Sequence, residues 1–166
     1  MRIDISVQAG AWPPQAALAE IAEGAVEAAA AAAGAADRIA LPAGGIDGEV
    51  SIVFTDDASI RVLNKRWRGK DTATNVLSFA LDGPGRRAGM LGDIVLAQET
   101  VAREAAFEGK LLNHHIAHMI VHSFLHLLGY DHQDEKDAQT MEDLECKALT
   151  LIGIADPYAC SGVDDD

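Results

Sequence analysis

The segment His122-Ser-Phe-Leu-His126-Leu-Leu-Gly129-Tyr-Asp-His132 constrains this chain more than any other. Two histidines four residues apart project from one face of a helix, one turn apart, so both rings can reach a single ion. Gly129 then offers a left-handed stop at which the chain can fold back. That return would bring His132 in as a third ligand. Three neutral imidazoles with a water in the fourth position is an arrangement found at catalytic zinc, because one position stays open. The expected centre is therefore one Zn2+ held by His122, His126 and His132. His114, His115 and His118 lie just upstream and are read as surface or satisfied core histidines.

The same spacing occurs in the metzincin proteases, HExxHxxGxxH, where the glutamate after the first histidine is the general base. Here that position is Ser123. A serine cannot take a proton from metal-activated water as a carboxylate does. The metal geometry is kept while the protease base is absent, which counts against peptide hydrolysis.

A layered α+β domain is expected around this helix. Residues 2–8 alternate apolar and polar with β-branched Ile3, Ile5 and Val7, a strand pattern. Pro13 and Pro14 open a helix over about 14–33, with Gly34 as its stop. A strand over 49–54 leads to a helix capped by Asp56 and ended by Gly69. Strands at 75–81 and 91–97 are placed to form a hairpin across a Gly-rich turn, 83–89. Helices at 98–108, 111–128 and 134–152 complete the chain, the last capped by Asp134. Strands in the first half and helices in the second predict a mixed sheet flanked by helices. At 166 residues the chain is one domain, spanning 1–158, with an acidic disordered tail at 159–166.

Charge is unevenly spread. The formal net charge is −13, which argues against coating a nucleic acid over the whole surface. Residues 61–87 nevertheless carry seven basic residues against two acidic ones. Cys146 and Cys160 lack zinc-type spacing and are too few for a disulfide scaffold. The amino terminus has no apolar signal region. The alanine run 28–36 is short for a membrane span. A cytoplasmic protein without a membrane partner is expected.

The His122–His132 segment resembles the H-x3-H-x5-H signature of the YbeY family. Three further segments match it: Leu63-Asn64 with the preceding Arg61, then Arg68-Gly-Lys-Asp-Thr-Ala-Thr-Asn-Val-Leu-Ser-Phe79, then Leu91-Gly-Asp-Ile94. Met141 and Glu145 fall where that family has a helix after the third histidine. The likeness covers about residues 49–158. It implies a zinc-dependent endoribonuclease specific for single-stranded RNA. The setting it implies is ribosomal RNA processing, including 16S rRNA 3′ end maturation, and ribosome quality control, with the ribosome or its proteins as partners. It also implies that His122, His126 and His132 hold the metal and that Arg61 is the functional arginine. Two positions depart from the family pattern. Ser123 replaces the usual glycine, and Ala80 stands where a proline commonly follows Ser-Phe.

Arg61 makes chemical sense in its own right, since a guanidinium pairs two phosphate oxygens and offsets charge developing at phosphorus. Lys65, Arg66, Arg68 and Lys70 are read as electrostatic guidance for the RNA backbone. Thr74, Asn75 and Ser78 are placed to line the floor of a cleft. Asp131 either orients His132 or is a turn residue. Trp67 has a ring suited to stacking on a base, but its helical register with Ile60 and Leu63 favours a place in the core. Two competing readings have their own signals. A non-catalytic ribosome-assembly factor would close its zinc site with a fourth ligand such as His118. A zinc peptidase rests on the histidine spacing alone.

Overall fold

The computed structural model describes residues 1–35, 48–81, 89–131 and 133–155. The expected turn at 83–89 lies almost wholly outside these residues, as do His132 and the acidic tail.

The alternating amino-terminal segment forms β1 (Arg2–Val7), followed by α1 (Gln15–Ala35), β2 (Glu49–Thr55), α2 (Asp57–Arg68), β3 (Val76–Ala80) and β4 (Met90–Ala97). Three helices follow: α3 (Gln98–Glu108), α4 (Leu112–Leu127) and α5 (Glu135–Leu151). The sheet order is β1-β2-β4-β3. β1 and β2 are parallel, as are β2 and β4, while β3 runs antiparallel to β4 at the edge. This is the mixed α+β sheet that the sequence predicts.

Period-2 alternation sends side chains to two cores. Val50, Ile52 and Phe54 of β2 with Ile94 and Leu96 of β4 face the helices α1, α4 and α5. Leu77, Val95 and Ala97 face α2 through its buried Ile60. β4 is thus covered on both faces, and α4 is buried around most of its circumference, from Ile116 through Val121 to Leu127. A helix in that position is apolar nearly all round, so any polar group on it needs a partner.

Local chemistry sets the element boundaries. Asp56 accepts from the Ser59 amide at 2.9 Å and Asp134 from the Asp137 amide at 2.8 Å, so both predicted caps form. Gly129 adopts φ +104° immediately after α4, a conformation that costs other residues strain.

α1 spans Gln15–Ala35, so its end falls within one residue of the expected stop at Gly34, and it packs against α4 and α5. Its alanines Ala22, Ala25, Ala29 and Ala33 are fully buried there, because small side chains let helices approach closely. Trp67 is not in the core: it is 57% exposed, although Ile60, on the same helix, is fully buried. Among the described residues, no helix is long and apolar enough to cross a membrane.

Candidate metal centre

α4 and the edge strand β3 lie against one another, and a cleft of about 460 Å³ opens between them. His118, His122 and His126 line its α4 wall, one turn apart. Ser78 and Ala80 of β3, with Asn75 just before that strand, line the opposite wall, and Arg68 reaches in from the end of α2. Thr74, expected here, does not line the cleft.

Two of the three histidines predicted as ligands, His122 and His126, meet on the α4 wall. Their Nε2 atoms are 3.1 Å apart. The Nδ1 of His126 lies 2.9 Å from the Tyr130 carbonyl oxygen, which can only accept, so this nitrogen carries the proton. The Nδ1 of His122 lies 2.7 Å from Oε2 of Glu145 and donates to it in the same way. Each neutral ring therefore presents its Nε2 lone pair toward the other. Two acceptors so close repel unless a cation or a proton sits with them. The donor set fits zinc, which imidazole nitrogen binds while the second ring nitrogen donates to a carboxylate or a carbonyl.

Glu145, on α5, is 1% exposed. It accepts from His122 through one oxygen and from Nε2 of His118 through the other, both at 2.7 Å. Burial alone raises its pKa, but the hydrogen bonds from His118 and His122 outweigh that and hold the carboxyl far below the usual range. His118 thus directs Nε2 to a carboxylate. His115 is buried as well and pairs with Glu104 at 2.9 Å. Glu104 also accepts from the Asn75 amide at 3.1 and 3.2 Å, which fixes one corner of the cleft.

Arg61 is not among the residues lining the cleft. Its Nε donates to Asp71 at 2.8 Å, with both side chains more than half exposed. That hydrogen bond raises the Arg61 pKa and lowers that of Asp71. The arginine in the cleft is Arg68, whose guanidinium donates to the Ser78 carbonyl at 2.7 Å. Ser123 is fully buried at the cleft floor, and its hydroxyl has no partner among the described residues. The described residues hold no cluster of three or more His, Cys, Asp or Glu placed to bind a metal, and His132 lies outside them.

Glu145 is the site residue that spacing did not single out, whereas Arg68, read from the sequence as electrostatic guidance, is found lining the cleft. Glu145 carried a signal: it is a carboxylate on the helix face bearing Met141, Leu144, Ala148 and Leu149. An acid among such neighbours requires donors from another element.

Comparison with known proteins adds an independent line. The Endoribonuclease YbeY family matches residues 6–153. A Rhizobium meliloti protein named Endoribonuclease YbeY is 50% identical over 159 residues, covering 94% of each chain. Its namesake from Sinorhizobium medicae is 48% identical with the same coverage. The solution structure of TM1509 from Thermotoga maritima superposes with a TM-score of 0.56 at 20% identity, covering 98% of this chain and 97% of that one. At that identity it speaks to the fold alone.

Proposed function

Because this chain belongs to the Endoribonuclease YbeY family, we propose that it is a zinc-dependent endoribonuclease that cuts single-stranded RNA in the cytoplasm. Ribosomal RNA processing is its proposed setting, including 16S rRNA 3′ end maturation and ribosome quality control, with the ribosome as partner. The observation that carries the chemistry is the convergence of the His122 and His126 Nε2 atoms, each ring oriented through its Nδ1. In this reading His132 completes the ligand set. Zinc in such a site supplies Lewis acidity toward a phosphate oxygen and a nucleophile at neutral pH.

The chain's own residues do the rest. Glu145 keeps His122 in the tautomer that presents Nε2 to the cleft. Arg68, already in the cleft, pairs with the RNA phosphate. Arg61 offsets the charge developing at phosphorus, for which it must exchange the Asp71 carboxylate for substrate. The engagement of His118 with Glu145 supports a fourth metal position left to substrate over a closed structural site.

The test is cleavage of end-labelled single-stranded RNA with analysis of product ends. Termini carrying a 2′,3′-cyclic phosphate assign the attack to the ribose 2′-hydroxyl, and a 3′-hydroxyl paired with a 5′-phosphate assigns it to water. An intact substrate after incubation with zinc-loaded protein, alone and with ribosomes, overturns the proposal.

A further inference from the structure

The last turn of α2 presents a surface that its periodicity does not explain. Trp67 follows Ile60 and Leu63 in helical register, yet 57% of it is exposed. The indole packs at 67° against Phe79 of the edge strand, with ring centroids 6.5 Å apart. The Arg66 guanidinium lies 5.0 Å above the indole centroid. Arg68 lies 4.9 Å above the Phe79 ring and continues into the cleft. Planar groups thus run without interruption from Arg66 and Trp67, past Phe79, to Arg68. They pass round the edge strand β3, whose Ser78 carbonyl anchors Arg68 at 2.7 Å.

The charge around this run is opposite to that of the molecule. Arg61, Lys65, Arg66, Arg68 and Lys70 crowd one short stretch against Asp71 alone, in a chain of net charge −13. An exposed indole among guanidinium groups suits a polyanion that carries flat apolar rings. Single-stranded RNA has both features, because its unstacked bases lie on aromatic side chains or guanidinium planes while its phosphates meet the cations.

We propose that Trp67 is a base-stacking subsite for single-stranded RNA, joined to the metal centre by Arg68. The proposal deepens the endoribonuclease reading and rests on it for the identity of the ligand. A nucleotide base stacks at Trp67, Arg66 and Lys65 meet the backbone beside it, and Arg68 leads the strand over β3 into the cleft. Duplex RNA keeps its bases stacked internally and cannot use such a platform, so the subsite also selects for single strands.

The test compares equilibrium binding of a short single-stranded RNA with that of an abasic RNA carrying the same number of phosphates. Both are titrated into full-length His126→Ala protein of verified fold, so that cleavage does not consume the ligand. The base-bearing RNA is expected to bind about tenfold more tightly, the scale of one stacked base. Trp67→Leu in the same background is expected to erase that ratio, and Trp67→Phe to keep most of it. Lys65→Ala is expected to weaken both RNAs alike. A ratio near one before substitution, a ratio unchanged in Trp67→Leu, or no binding of either RNA overturns the subsite. A ratio erased by Trp67→Leu, while the unsubstituted protein cleaves nothing, upholds the subsite and removes the endoribonuclease reading.

Discussion

A carboxylate that is 1% exposed persists at position 145 because two imidazoles donate to it. Its charge and its oxygens are both committed, so its function is to orient His122. Glu145→Gln keeps the volume and loses the charge and half of the acceptor capacity. Zinc affinity is expected to fall about 10- to 100-fold, the usual effect of losing a partner that orients a metal ligand, measured by competition with a chromophoric chelator. Arg61 poses a different question, since its guanidinium is held by Asp71. Arg61→Ala is expected to lower kcat for RNA cleavage by about 100-fold, the scale of one lost transition-state donor. Asp71→Asn releases the guanidinium and is expected to leave kcat within a few-fold of the unsubstituted protein. Equal losses in both variants would assign the pair a structural role. The paired histidines were legible from their spacing alone. The partners that fix their tautomers were not, because Glu145 and the Tyr130 carbonyl reach them only through tertiary packing.

At the scale of elements, the periodicities foretold every described strand and helix, and several of their boundaries have a local cause. Asp56, Gly69, Gly129 and Asp134 act within one turn of their own positions. Trp67 misleads because helical register describes the helix and not the extent of the sheet beneath it. The β3–β4 pairing carries its own constraint at Gly92, where φ is +149° and an added Cβ would lie 2.2 Å from the Phe79 carbonyl oxygen. The nearest obstacle is backbone, which the β3–β4 pairing holds in place. Gly92→Ala is expected to destabilise the protein by about 3 kcal/mol, the upper range for strain at a special backbone position, read from the shift in urea midpoint at constant m-value. The wall of the cleft formed by β3 should loosen with it.

For the molecule as a whole, burying histidines links stability to pH. Burial holds the His115 imidazole below its ordinary value, with the Glu104 hydrogen bond acting the other way. The unfolded chain protonates this ring near pH 6.5, and the folded protein does so only at lower pH. Between the two values the unfolded state binds more protons, so the contribution is complete above about pH 6.5 and declines as the pH falls through that window. Urea midpoints of the unsubstituted protein and His115→Gln should therefore converge between pH 7.5 and pH 5.5, and parallel curves would show that His115 does not titrate on unfolding. Charge also acts at this scale. In the proposed reading, the basic stretch on an acidic body draws RNA locally while the remaining surface repels it, so RNA binding is expected to weaken with salt.

The central claim is that RNA cleavage takes place at the histidine pair on α4. The most direct measurement is the cleavage rate of end-labelled single-stranded RNA by the protein and by His126→Ala and Arg61→Ala, purified in parallel with circular dichroism confirming each fold. Chelator-sensitive cleavage by the unsubstituted protein is expected, with none by His126→Ala and about a hundredfold loss in Arg61→Ala. Equal cleavage by all three proteins would contradict it, because the activity would then come from another site or another protein.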